Sequence, residues 1–321
     1  SISYLQLKHT HLRGKCGIPP VPLSRLLYVL TTGLQLLQSK YNILSVYTQP
    51  PKKRDRGLKL RISPIHEYSK ANKLAVRHPD NLNSKEEVKK ITELNPDVVV
   101  VAAYGKILPE KLLKIKDLRF INVHASLLPK WRGAAPIQRA IMNLDKETGI
   151  SIMKIESKLD SGPVMMQSKI RIPEGTNSNI LSSIMSKLGS EMIIKSLDLI
   201  EEKKEEFIPQ EEKDATYAKK ISKLETKINW NETAKKIVAK INALYPNPGT
   251  WFEIDGLRIK PIKVREVKIN GKPGSIINKD FTIACSANSV QILELQKEGK
   301  KSIDVSEYLK GNILETGFNV S

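Results

Sequence analysis

The chain is expected to fold as an α/β protein, a doubly wound and mainly parallel sheet followed by a small β-barrel. Three observations predict this. Between about residue 40 and residue 200, continuous apolar runs alternate with helical stretches, the pattern of a parallel sheet covered on both faces. A charged and polar stretch then interrupts the pattern at 204–222. Beyond it come short strands separated by frequent turns, as in a small barrel.

In the first part, Asn42–Tyr47 reads as a strand. Ser84–Leu94 reads as a helix, with a Ser N-cap and Glu86 and Glu87 in its first turn. Asp97–Ala103, which contains four consecutive valines, and Phe120–His124 read as buried strands. A helix is expected at Ala134–Leu144, strands at Gly149–Ile155 and Val164–Ile170, and a long helix at Asn179–Lys204. The polar segment Pro209–Lys220 reads as part of a linker. Asn231–Leu244 reads as helix, followed by strands at Thr250–Ile254, Leu257–Val264, Ser275–Ile277, Phe281–Cys285 and Val290–Leu295. Gly256, Gly271–Gly274 and Ala287-Asn288 supply the turns. The expected organisation is a catalytic domain over 1–203, a linker over 204–222 and a C-terminal domain over 223–321.

Composition bounds the function. The 321 residues suffice for two domains, and no apolar run approaches the roughly 20 residues of a membrane span. Cys16 and Cys285 are too few and too distant for a disulfide framework or a zinc site. A reducing setting is expected, the cytoplasm or an organelle matrix, with no membrane partner. The 53 Lys and Arg against 34 Asp and Glu give a net charge of +19, concentrated in residues 1–130, which carry 23 basic and 9 acidic groups. Such a field favours encounter with polyanions. A lysine-rich composition alone is the plainer explanation.

The chemistry is densest from Phe120 to Ile141. Strand alternation puts Asn122 and His124 on one face at the carboxyl end of their strand, where ligands of such sheets bind. An amide beside an imidazole can bind a developing oxyanion and pass a proton. Asp160, in Lys158-Leu-Asp-Ser-Gly-Pro163, follows another strand and could orient His124 as the third member of a relay. Each has a plainer reading: Asn122 as a turn cap, His124 as a buried structural histidine, Asp160 as an Asx turn. No His, Cys or carboxylate stands at ligand spacing from His124, so no metal is expected.

Taken together, Asn122-x-His124, Ser126-Leu-Leu-Pro129, Trp131-Arg-Gly-Ala-Ala-Pro-Ile-Gln138 and Leu159-Asp-Ser-Gly162 resemble the formyltetrahydrofolate-dependent formyltransferases. Val101-Ala-Ala-Tyr-Gly105 resembles the family's strand and turn beside the folate pocket, and the resemblance runs from about Tyr41 to near the C-terminus. It implies catalytic roles for Asn122, His124 and Asp160, and folate contacts at Tyr104, Gly105, Ser126, Leu127, Leu128 and Pro129. It also implies 10-formyltetrahydrofolate as co-substrate, without a metal, and a monomer whose acceptor is the α-amino group of methionyl initiator tRNA. Within the family, Gln49–Arg61 is similar to a loop that grips a tRNA acceptor stem, carrying six basic residues and one acid. Lys52, Lys53, Arg54, Arg56 and Lys59 are therefore expected at the RNA. The basic, OB-like C-terminal barrel fits the same partner. Its turn Pro246-Asn-Pro-Gly-Thr-Trp251 has Asn247 where the family usually has Trp. Two alternatives stay open: a formyltransferase of the same fold acting on another amine, and a catalytically impaired RNA-binding product.

The resemblance fails over residues 1–40, where the family's short apolar strand and its Gly-Thr-Pro turn are missing. The segment has no Asp or Glu, as in organelle transit peptides. A transit peptide would precede the first strand rather than replace it, so the abrupt change of register at Tyr41 reads as a shifted frame. Ser3 and Gln6 interrupt Ile2–Leu7, so residues 1–40 are expected not to supply the first strand.

Overall fold

The computed structural model describes residues 3–9, 36, 39–54, 59–102 and 108–321, with the backbone alone at 3–9, 52–54, 59 and 61. Two compact units emerge. The first comprises Ser1–Ala134, Thr148–Ile170 and Ser182–Ala218; the second comprises Ala135–Glu147, Arg171–Leu181 and Lys219–Ser321.

A seven-stranded sheet organises the first unit. Its strands are β1 (Ser3–His9), β2 (Tyr41–Thr48), β5 (Val76–Arg77), β6 (Val98–Ala102), β7 (Arg119–His124), β9 (Glu147–Lys154) and β10 (Val164–Arg171). They lie in the order β10-β9-β7-β6-β1-β2-β5. β6 is buried along its whole length, as expected for a strand covered on both faces. Val99 and Val101 pack with Tyr47, Ile91, Leu112 and Phe120. Helix α1 (Pro64–Ala71) starts where Ser63 accepts the His66 N–H, and helix α2 (Lys85–Leu94) starts where Ser84 accepts that of Glu87. Both use a short hydroxyl to satisfy donors that the first turn leaves open. A short helix α3 (Glu110–Leu113) follows β6, and the long helix α5 (Ser178–Glu201) follows β10.

The sheet is mixed. β2–β5 and β6–β7 run parallel, whereas β7–β9, β1–β2 and β1–β6 run antiparallel. The expectation that residues 1–40 leave the first-strand position unfilled does not hold. Ser3–His9 lies between β2 and β6, antiparallel to both, with a register shift at Gln6/Leu7. The physical reason is backbone demand. Without a strand there, the facing N–H and C=O groups of β2 and β6 would stand unpaired, at about 1–3 kcal/mol for each one buried. That demand is indifferent to strand polarity and to side-chain alternation.

The basic stretch expected as a loop is a two-stranded ribbon of β3 (Lys52–Arg54) and β4 (Lys59–Arg61), paired antiparallel. Of the expected RNA contacts, Lys52, Lys53, Arg54 and Lys59 lie in this ribbon with only their backbone described, and Arg56 lies outside the described residues.

The second unit holds an antiparallel sheet of β12 (Phe252–Ile254), β13 (Leu257–Val267), β16 (Ser289–Lys297), β15 (Thr282–Ala284) and β14 (Ile276–Asn278), with β17 (Ser302–Asp304) added to β16. The sheet curls around a core in which the rings of Trp230, Phe252, Phe281 and Tyr308 follow one another with centroids 5.3, 6.2 and 5.6 Å apart, the first two contacts edge-to-face and the last stacked. Helix α6 (Ala234–Leu244) seals it with Ile237 and Ile241, and the short helix α7 (Val305–Lys310) supplies Tyr308. The expected barrel-like domain is present.

Helix α4 (Pro136–Met142), also in the second unit, presents Arg139 to Glu225 at 2.6 Å and to the Lys219 carbonyl at 3.1 and 3.0 Å. The Arg139 guanidinium is the main reason the Glu225 carboxyl is held down to about 2. A carboxyl depressed on folding contributes stability above its unfolded pKa near 4.5, and the contribution fades as pH falls toward 2. Arg139→Met is therefore expected to lower stability at pH 7 by about 1 kcal/mol, the pair being partly exposed. The gap to wild type should shrink between pH 4.5 and 2 in denaturant titrations; a gap constant across that window would contradict the assignment.

Candidate active site

β7 ends on His124, which is 5% exposed. Asn122, two residues earlier, is half-buried and shares its strand face by alternation. The antiparallel partner β9 sets Ser151 opposite His124. Ser151 Oγ donates to the Ser126 carbonyl at 2.7 Å and accepts from the Leu128 N–H at 3.0 Å and from Gln167 Nε2 at 2.8 Å. Gln167 Nε2 also donates to the Leu128 carbonyl at 2.8 Å, and Ser126 Oγ donates to that of Lys130 at 2.6 Å. The Ser126–Pro129 loop is thus fixed from beneath by buried polar contacts, which are strong where water is excluded.

The next turn sets an acidic residue against His124. His124 Nδ1 faces Asp160 Oδ2 at 3.6 Å, an ion-pair contact longer than a hydrogen bond. His124 Nε2 pairs with the Trp131 carbonyl at 2.9 Å, so in that contact the ring N–H donates. The ring thus stands between a carboxylate on one side and a backbone carbonyl on the other. The Asp160 carboxylate is itself anchored by the Gly133 N–H, 2.8 Å from Oδ2. This aim needs unusual backbone: φ is +60° at Trp131, +116° at Gly133 and +47° at Asp160. At Gly133 any side chain would be strained, and a Cβ would stand 3.0 Å from the Ala218 carbonyl.

The polar stretch expected as a linker is packed on this turn. β11 (Tyr217–Ala218) pairs parallel with β8 (Arg132–Gly133). Thr216 accepts the Trp131 N–H on its hydroxyl and the Arg132 N–H on its carbonyl, each at 2.9 Å. Arg132 is 1% exposed and donates to Gln210 Oε1 at 3.0 Å and to Glu212 at 2.8 Å. Its guanidinium holds the Glu212 carboxyl below the usual range.

Of the expected site residues, His124 and Asp160 face each other, and Asn122 lies on the same strand as His124. Ser126 and Leu128 are buried with their polar atoms engaged inside the protein, while Leu127 and Pro129 are partly accessible. Tyr104 and Gly105 lie outside the described residues. Among the described residues no cluster of His, Cys, Asp or Glu could hold a metal ion, and no helix is long and apolar enough to cross a membrane. Ser151, Gln167, Gln210 and the anchoring N–H of Gly133 were not foreseen. Gly133 alone left a signal, as a glycine in a turn; Gln210 lies fifty residues from its partner Asp160, in a stretch with no periodicity.

The family model for formyl transferase matches residues 27–197, and that for the formyl transferase C-terminal domain matches residues 220–312. The chain is 44% identical over 288 residues to the methionyl-tRNA formyltransferase of Pelagibacter ubique, covering 89% of this chain and 93% of that protein. It is 39% identical over 282 residues to that of Paracoccus denitrificans, covering 88% and 94%. Among solved structures it resembles the N-formyltransferase of Helicobacter canadensis in complex with folinic acid and dTDP-3-aminofucose. There the TM-score is 0.64 at 19% identity, over 84% of this chain and 96% of that one. It also resembles HypX of Aquifex aeolicus in complex with tetrahydrofolic acid, with a TM-score of 0.56 at 16% identity, over 78% of this chain and 45% of that one. These two likenesses show a shared fold.

The turn that carries Asp160 closes on Gly162, where a Cβ would meet the Lys154 carbonyl oxygen at 2.0 Å. Gly162→Ala is therefore expected to push the 160–162 turn off β9 and destabilise the chain by about 1–3 kcal/mol. Chemical denaturation measures this, and an unchanged midpoint would show that the turn is not held where described.

Proposed function

The chain belongs to the formyl transferase family, and we propose that it transfers a formyl group from 10-formyltetrahydrofolate to the α-amino group of methionyl initiator tRNA. The observation that carries this reading is the likeness, along nearly the whole chain, to proteins named for that activity. The pair at the end of β7 supplies suitable chemistry. Under this reading catalysis belongs to residues 1–203 and tRNA binding to 223–321 and the β3–β4 ribbon. The setting is the cytoplasm.

The amine attacks the formyl carbon, forming the new C–N bond and a tetrahedral oxyanion. Collapse breaks the bond from that carbon to the folate nitrogen, which takes up a proton, while the proton of the attacking amine leaves to water. Asn122, at the strand end, donates to the oxyanion. In the reaction His124 Nε2 exchanges the Trp131 carbonyl, its acceptor in this structure, for the oxyanion. Asp160 keeps the ring oriented. Donors fixed beforehand act most strongly on charge that develops in the transition state. The Ser126–Pro129 loop, through its accessible Leu127 and Pro129, lines the folate side.

His124→Ala and Asp160→Asn are each expected to lower turnover about a hundredfold or more while tRNA binding stays nearly intact. Formylation of charged initiator tRNA measures the first and filter binding the second. Near-native turnover in both variants, or formylation of an amino sugar nucleotide in preference to tRNA, would overturn the assignment.

Neutralising Lys52, Lys53, Arg54 and Arg56 together should weaken tRNA binding and flatten its salt dependence. The log–log slope falls by about 0.7–0.9 for each phosphate that the protein no longer neutralises. A quadruple variant with the parental slope would show that the ribbon does not touch RNA.

A further inference from the structure

One side chain ties the Asp160 turn to the loop opposite. Gln210 Nε2 donates to the Asp160 carbonyl at 2.9 Å and to the Gly162 carbonyl at 2.6 Å. Its Oε1 accepts from Arg132 Nε at 3.0 Å. Arg132 is buried and precedes Gly133, whose N–H holds the Asp160 carboxylate. These bonds close a ring: Asp160 backbone to Gln210, Gln210 to Arg132, Arg132 through the chain to Gly133, and Gly133 back to the Asp160 carboxylate. A primary amide offers two N–H donors and one carbonyl acceptor, and all three are used here. A carboxylate would lack the donors, an alkyl group everything.

The ring opposes a local preference. Asp160 is held at φ +47°, a conformation a non-glycine residue keeps only where its surroundings over-determine it. Gln210 supplies that on the backbone side while Gly133 supplies it on the carboxylate. The contacts of Gln210 are to the two loops that aim Asp160 at His124, so its influence on the reaction runs through that aim.

We propose that Gln210 is a positioning residue for formyl transfer, holding the Asp160–Gly162 turn so that the Asp160 carboxylate faces His124. This rests on the reading in which His124 and Asp160 carry the reaction. A misplacement of about 1 Å at a reacting group can lower a rate about a hundredfold. Gln210→Leu removes all three bonds. Gln210→Glu keeps the length and the Arg132 contact and removes the donors alone.

The test is steady-state formylation of methionyl initiator tRNA with 10-formyltetrahydrofolate by the full chain, with thermal melts in parallel. Both Gln210 variants are expected to lose about ten- to a hundredfold in kcat, with both KM values within about twofold of wild type. In an Asp160→Asn background, Gln210→Leu should remove little more, because residues acting through one group are not additive. Near-native kcat in Gln210→Glu would overturn the proposal. So would a full further loss in the double variant, or a loss that appears only in KM and melting temperature. The reading beneath it fails separately, and visibly, if Asp160→Asn alone keeps near-native kcat.

Discussion

The Asp160 carboxylate faces His124 because one backbone N–H, that of Gly133, holds its Oδ2 at 2.8 Å. The arrangement around it follows from this constraint. Gly133 holds its N–H that way at φ +116°, and Trp131 at φ +60° carries the carbonyl that meets the other nitrogen of the same ring. Left-handed residues in a short turn store strain, of order 1–3 kcal/mol each where the residue is not glycine. The compensation is spread over the segment from Ile208 to Ala218. Ile208 bonds Val164 in both directions, Gln210 bonds the 160–162 turn, Thr216 bonds Trp131 and Arg132, and Ala218 accepts the Ala134 N–H.

Beneath the turn the sheet acts as a rigid base. Parallel pairing of β6 with β7 sets Val101 beside Asn122, and antiparallel pairing of β7 with β9 sets Ser151 beside His124. A serine serves at that point because its hydroxyl can donate once and accept twice, which the Ser126–Pro129 loop and Gln167 together use in full. An alkyl side chain would leave the loop's inward polar groups without partners, and buried polar groups without partners are costly.

The strands and helices that bury apolar faces were legible in the sequence: the valine run of β6, the Ser84 cap, the long helix α5 and the curled C-terminal sheet. That Asp160 faces His124 was legible through residue type, spacing and the resemblance of their flanks. Two features were not. Ser3–His9 enters the sheet through backbone pairing, which a reading of side-chain alternation does not register. The stretch around Gln210 carries no apolar period and so reads as a linker. Its role is polar and long-range, through single hydrogen bonds to carbonyls about fifty residues away, and spacing along the chain carries no trace of such contacts.

Under the proposed function, catalysis depends on where Asp160 is held. Gly133→Ala tests it without altering any group assigned to the chemistry, since it strains a φ of +116° and sets a Cβ 3.0 Å from the Ala218 carbonyl. The measurement is the single-turnover rate of formylation at saturating methionyl initiator tRNA and 10-formyltetrahydrofolate. A rate about a hundredfold slower is expected, with tRNA affinity preserved. An unchanged single-turnover rate would contradict it.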